Sequence, residues 1–124
     1  MAAPRSSIMI VEDDEDIREM LRLVLEANGY RVATAADGLE AWEHLADNWQ
    51  PALIILDLMM PRMDGEHFLK KLRASSQSGI SVVVMSGQPG AIQKARELKA
   101  DGSLIKPVEL DDFLQTVERF IPAV

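Results

Sequence analysis

The chain has 124 residues, 48% of them hydrophobic, and a formal net charge of −7. That length suits one domain with a single core, and the acidic balance argues against nucleic acid as a direct partner. With no cysteine, disulfides and thiolate metal sites are excluded, and the composition fits a reducing cytoplasm.

No apolar run approaches the roughly 20 residues that cross a bilayer, so no membrane insertion is expected. Residues 1–7 carry one basic residue, Arg5, and no long apolar stretch follows them. They read as a short disordered lead-in rather than a signal peptide, ahead of a single domain over 8–124.

Ile8 to Val11 is a short apolar run with β-branched members and reads as strand one. It stops at the acidic run Glu12-Asp13-Asp14-Glu15-Asp16. Ile17, Met20, Leu21, Val24 and Leu25 then follow helical spacing on one face. Asp14 is placed to cap that helix, and the acids behind it suit the positive end of its dipole. Asn28-Gly29 stops it. Tyr30 to Ala35 reads as strand two, Asp37-Gly38 as a turn, and Leu39, Trp42, Leu45 and Ala46 as a helix reaching about Asn48.

Leu53 to Asp57 follows Pro51. This continuous apolar run ending on a carboxylate reads as strand three, buried on both faces. Gly65 opens a helix with Phe68, Leu69 and Leu72 inward. Ala74 to Gly79 is a loop, and Ile80 to Met85 is strand four, ending at Ser86-Gly87. Ala91, Ile92, Ala95 and Leu98 mark the fourth helix. Leu104-Ile105 is the visible part of strand five, ended by Lys106-Pro107. The last helix runs from about Glu109 to Ile121, with Leu110, Phe113, Leu114, Val117 and Ile121 inward.

Apolar strands alternating with amphipathic helices imply a parallel sheet covered on both faces. Right-handed crossovers leave few topologies. A five-stranded doubly wound α/β sheet in the flavodoxin-like order 2-1-3-4-5 sets strands one and three side by side at the switch point. Glu12, Asp13 and Asp57 then become neighbours, with Ser86 and Lys106 along the same edge. Three converging carboxylates repel unless a cation joins them. An all-oxygen donor set points to Mg²⁺. An aspartate beside a divalent cation stays ionised and can attack phosphorus, giving an aspartyl-phosphate. The phosphoryl oxygens then need neutralising, which the cation, the Lys106 ammonium and the Ser86 hydroxyl can do.

The motifs Val11-Glu12-Asp13-Asp14, Asp57 with Met60-Pro61 and Met63-Asp64-Gly65, Ser86-Gly87 and Lys106-Pro107 stand in order at strand ends. In this the sequence resembles the receiver domains of two-component response regulators, over Ile8 to about Ile121. The resemblance implies that Asp57 is the phosphoacceptor. It implies Asp13 as a direct Mg²⁺ ligand, Glu12 acting through metal-bound water, and the Met59 backbone carbonyl as a further ligand. Lys106 would contact the phosphoryl group, and the Lys106–Pro107 bond would be cis. It also implies a histidine kinase or histidine phosphotransfer protein as donor, and a downstream protein target whose binding is switched.

The family often has an aromatic residue three positions before the strand-five lysine; Ser103 stands there, so coupling through that side chain is absent. The stretch from Ser86 to Lys106 is slightly short for the family, and Met59 and Gln88 hold positions that tune dephosphorylation. Two other readings compete. A non-cycling receiver-like interaction module is disfavoured by the intact Glu12, Asp13, Asp57, Ser86 and Lys106. A Mg²⁺-dependent phosphatase would need a second aspartate two residues after the nucleophile, where Met59 stands. A flavodoxin would need a phosphate loop rich in Ser, Thr and Gly after strand one. His44 and His67 fall on helices away from the strand ends and read as surface residues; Trp42 and Trp49 read as packing or surface residues.

Overall fold

The computed structural model describes residues 5–46, 49–59 and 64–121. Strands and helices alternate: β1 (Arg5–Val11), α1 (Glu15–Ala27), β2 (Tyr30–Ala35), α2 (Gly38–Ala46), β3 (Leu53–Asp57), α3 (Gly65–Arg73), β4 (Ser81–Ser86), α4 (Ala91–Glu97), β5 (Gly102–Ile105) and α5 (Leu110–Phe120). The five strands form one sheet in the order β2-β1-β3-β4-β5, with every pairing parallel. This is the doubly wound, flavodoxin-like arrangement expected from the sequence.

Side-chain alternation along each strand builds two cores. Ile8, Ile10, Leu53, Ile55, Val83 and Met85 face α1 and α5, and meet Leu21, Leu25, Phe113 and Val117. Met9, Val11, Ile54, Leu56, Val82 and Val84 face α2, α3 and α4, and meet Ala41, Leu45, Phe68, Leu69 and Leu72. All five residues of β3 are buried, as an unbroken apolar run at the centre of a parallel sheet requires. Each leucine or isoleucine buried there contributes about 1.5–3 kcal/mol. Asp57 lies at the end of the most protected strand.

Helix starts follow local chemistry. The Asp14 carboxylate accepts the Ile17 N–H at 3.0 Å, and the Asp64 carboxylate accepts the His67 N–H at 2.9 Å. Both satisfy an orphan donor of a first turn. α4 lacks such help: its N-cap is Gly90 at φ +80°, with no side-chain cap. Arg73, at the end of α3, ties the α3–β4 and α4–β5 loops together. Its guanidinium donates to the carbonyls of Ser78, Ile80 and Lys99 and to the Asp101 carboxylate, and that carboxylate also accepts the Val82 N–H at 2.8 Å.

Several boundaries differ from the sequence reading. β1 begins at Arg5, so residues 5–7, assigned to the lead-in, are in strand; residues 1–4 lie outside the described residues. Arg5 pairs with Tyr30 and Ser7 with Arg31, while the Ser7 carbonyl accepts the Ala52 N–H. Ladder pairing satisfies backbone groups whatever side chains they carry. β4 is displaced by one residue to Ser81–Ser86, and β5 begins earlier, at Gly102. Met20 and Leu110, both expected inward, are 43% and 41% exposed. Asn48, the expected end of the second helix, and Met60, Pro61 and Met63 lie outside the described residues, as do 122–124. Among the described residues no helix is long and apolar enough to cross a membrane.

Candidate functional site

The register of the sheet brings the acidic residues together. Val11 lies opposite Leu56 on the neighbouring strand. The next residues, Glu12 and Asp57, therefore emerge side by side at the carboxyl edge. That edge, at the switch point between β1 and β3, is where open α/β sheets bind ligands. Asp57 lies opposite Met85 on β4, so Ser86 stands one step beyond it. Ser86 in turn pairs with Ile105, and Lys106 follows.

Oxygen atoms of Glu12, Asp13 and Asp57 all lie within 4.8 Å of one another. Glu12 is fully buried and Asp57 is 4% exposed, while Asp13 is exposed. The Lys106 ammonium reaches between the two buried carboxylates, 2.8 Å from Glu12 Oε2 and 3.2 Å from Asp57 Oδ2. Around this cluster the backbone is pinned. Glu12 Oε1 accepts the Asp14 N–H at 3.1 Å, and Asp57 Oδ1 accepts the Met59 N–H at 3.1 Å.

The charges respond to this placement. Burial pushes the Glu12 carboxyl above its ordinary range; the hydrogen bond from Lys106 opposes that, and the Asp57 charge adds to it. Burial likewise raises Asp57, against the Met59 N–H and Lys106. For Lys106 burial acts downward, but the hydrogen bond to Glu12 and the charge of Asp57 outweigh it and hold the ammonium above its usual value. One ammonium therefore does not fully offset the buried negative charge. The donor set is all carboxylate oxygen, closely spaced and short of positive charge, so it fits a hard divalent cation.

The other expected site residues are placed as follows. Ser86 is buried, and its hydroxyl oxygen accepts the Gln88 N–H at 3.1 Å; its carbonyl accepts the Lys106 N–H at 3.1 Å. Met59 is 58% exposed, two residues after Asp57. The Lys106–Pro107 bond is cis. Ser103 lies on β5 opposite Val84, on the side of the sheet facing α4. His67 is exposed and turns its ring Nδ1 to Asp64, 2.9 Å away. His44, read as a surface residue, is partly exposed, with Nε2 3.0 Å from the Thr34 carbonyl. That contact joins α2 to β2 and was invisible to helical spacing alone.

Two contributors escaped the sequence reading. Arg18 donates from Nη1 to the Glu12 carbonyl at 2.8 Å, fixing the chain where the acidic run begins. Its signal was one basic residue a turn into an acidic helix start. Gly65 was read as a helix start only. Its N–H bonds the Leu58 carbonyl at 3.1 Å, and a Cβ there would fall 2.2 Å from the Asp57 carbonyl oxygen. The lack of a side chain lets α3 rest directly on the backbone that carries Asp57.

Known proteins resemble this chain in sequence and fold. The family profile described as the response regulator receiver domain matches residues 8–118. Response regulator MprA of Mycobacterium sp. (strain KMS) is 37% identical over 109 residues, covering 86% of this chain and 46% of its own length. This chain thus spans about half the length of that relative. Sporulation initiation phosphotransferase F of Bacillus subtilis is 33% identical over 117 residues, covering 93% of each. Among solved structures, chemotaxis response regulator CheY4 of Vibrio cholerae superposes with a TM-score of 0.86 at 32% identity, covering 94% of this chain and 99% of that one. A response regulator of Chloroflexus aurantiacus gives 0.87 at 30% identity, covering 95% and 98%. With the profile spanning most of the chain and the carboxylates gathered at the sheet edge, this protein belongs to the receiver domains of two-component response regulators, a family of signalling domains.

Proposed function

We propose that the chain, as a receiver domain over residues 8–124, takes a phosphoryl group onto Asp57 in a Mg²⁺-dependent reaction and switches a partner's binding in response. The reading stands on one observation: the Lys106 ammonium sits between Glu12 and Asp57, two buried carboxylates at the carboxyl edge of adjacent strands. Buried carboxylates are costly unless paired or bound to a metal, and such perturbed clusters mark functional sites.

Asp57 attacks phosphorus through a carboxylate oxygen, and the donor departs with the electron pair of the broken bond. Asp13, Asp57 and the Met59 carbonyl would hold Mg²⁺ directly, and Glu12 through a metal-bound water. When bound, Mg²⁺ neutralises charge on a phosphoryl oxygen. Lys106 moves from the carboxylates to a second phosphoryl oxygen, and the Ser86 hydroxyl turns to the third. The new group brings about −1.5 to −2 charge and three acceptors. Drawing Ser86 and Lys106 toward it shifts the β4–α4 and β5–α5 loops together. Those loops are the route to the partner, since Ser103 offers no aromatic side chain to carry the change.

The donor is a histidine kinase or histidine phosphotransfer protein. Beside Lys106 lies an apolar cleft of about 350 Å³ lined by Ile17, Met20, Leu21, Met85, Pro107 and Val108. The cleft's apolar lining, with Met20 43% exposed, suits contact with the donor protein. That B. subtilis relative is named a phosphotransferase, which is in keeping with group transfer at this site.

Incubation with Mg²⁺ and a small phosphodonor should give one phosphoryl adduct by intact mass, stable to acid and labile to base. Asp57→Asn should give none. A folded wild-type protein that stays unmodified with several donors would sink the reading. The cleft has its own test. Val108→Glu should slow transfer from a phosphorylated histidine donor protein by about tenfold, as loss of a well-packed contact does, and leave the small-donor reaction unchanged. Equal slowing with both donors would remove the cleft as the docking seat.

A further inference from the structure

β5 is covered poorly on one side. Strand pairing sets Val84, Ser86, Ser103 and Ile105 on the face toward α4. Small residues surround the space above them: Ser103 in the floor, Ala91 at the start of α4, and Gly87 and Gly90 in the loop between β4 and α4. They leave a cleft of about 290 Å³ between the sheet and the first turn of α4. A Cβ built on Gly90 meets nothing within 4 Å, so this end is open rather than tightly packed. Ile92 and Ile105 form the lips and are 38% and 63% exposed.

The lining defines the chemistry. Among the described residues no charged side chain borders the cleft, so an ion would enter without a partner and lose its hydration. Apolar walls with a few hydrogen-bonding groups are what small-molecule sites present. Here the side chains that can supply them are the Ser86 and Ser103 hydroxyls and the Gln88 amide. A helix above and two strands below make a slot, which suits a planar ring. The volume of about 290 Å³ is roughly twice that of a cavity of about 150 Å³ that holds benzene, so a single ring or a fused pair fits.

We propose that this cleft binds a small neutral aromatic molecule carrying one hydrogen-bonding group, of the phenol or indole class. The ring lies between α4 and β5, with Ile92 and Ile105 on its edges and its polar atom toward Ser86 or Ser103. Ser86 belongs both to this cleft and to the carboxylate edge, so an occupant holds the hydroxyl that phosphorylation would draw away. That last consequence rests on the phosphoacceptor reading; the binding itself does not.

The test uses the full chain, isotope-labelled and metal-free, titrated with indole and with phenol while amide shifts are followed. A ligand of this size should saturate with Kd on the order of 1 mM, with shifts confined to Val84, Ser86 to Gly90, Ile92 and Ser103 to Ile105. Ser103→Phe fills the slot from the sheet and should weaken binding by about tenfold or more. Ala91→Leu narrows it from the helix and should do the same, which keeps the test decisive if Ser103→Phe does not fold. A capped Gly-Trp-Gly peptide should bind no more tightly than indole. Unsaturable or scattered shifts, or unchanged binding in a folded variant, would overturn the site. A peptide that binds about tenfold tighter than free indole would instead assign the cleft to a side chain of a protein partner.

Discussion

Gly65→Ala is expected to lower the unfolding free energy by about 3 kcal/mol, at the upper end of overpacking costs. The added methyl would stand 2.2 Å from the Asp57 carbonyl oxygen and 2.6 Å from the Leu58 Cα. Neither atom can yield by a rotamer change, because both are backbone. Either α3 lifts away from β3 or the chain carrying Asp57 bends. The first loses packing of Phe68, Leu69 and Leu72, all fully buried. The second displaces the carboxylate from Glu12 and Lys106. Against a total stability of about 5–15 kcal/mol, either is a large fraction. Urea unfolding measures the cost, and intact mass measures the fall in adduct formation on the protein that remains folded. A loss below about 1 kcal/mol, the size of an ordinary surface change, would mean that α3 does not rest on that backbone.

Lys106→Met should destabilise the metal-free protein by about 2–3 kcal/mol, somewhat less than for a fully buried pair because the ammonium retains contact with solvent. The lysine is the one cation bonded to Glu12 and Asp57 among the described residues. Without it two buried carboxylates face each other, each already pushed above its ordinary range by burial. Methionine lacks only the terminal atom of the lysine chain and is apolar, so the loss reports mainly charge rather than a cavity. Mg²⁺ should then stabilise the variant more than the wild type, because the ammonium no longer competes for the same oxygens. A ligand at about 100 times its Kd adds about 2.7 kcal/mol, enough to recover most of the deficit. Thermal or urea midpoints with and without Mg²⁺ give the comparison. Wild-type stability in the metal-free variant, or an equal gain from Mg²⁺ in both proteins, would show that Lys106 does not balance the pair.

Both effects depend on neighbours that are distant in the chain, and this marks where sequence reasoning runs out. Lys106 and Glu12 are separated by 94 positions, and Lys106 and Asp57 by 49. Their meeting could be argued from the alternation of strands and helices and the handedness of crossovers. The hydrogen bonds themselves could not. Likewise the motif Asp64-Gly65 announced a helix start, and Asp64 caps α3 as such a residue should. That Gly65 touches the Asp57 backbone depends on how α3 folds back over the end of β3. The exposure of Met20 and Leu110 was missed for a related reason. Helical spacing defines a face, but the neighbouring elements decide how wide a stripe of it is covered.

The sequence by itself determined what is local. Strand identity came from β-branched and apolar runs, helix faces from 3.6-residue spacing, and helix starts from aspartates whose carboxylates reach only three residues along. It also placed Glu12, Asp13, Asp57, Ser86 and Lys106 at the ends of strands. Tertiary structure decided which strand ends adjoin and at what register, so it alone brought Lys106 onto Glu12 and Asp57. It also set Arg18 on the Glu12 carbonyl, drew His44 to Thr34 and left the slot over Ser103 open. The physical reason is range. Backbone preferences and caps act over one turn of chain, whereas pairing register, packing and the desolvation of charge depend on which segments the completed fold sets side by side.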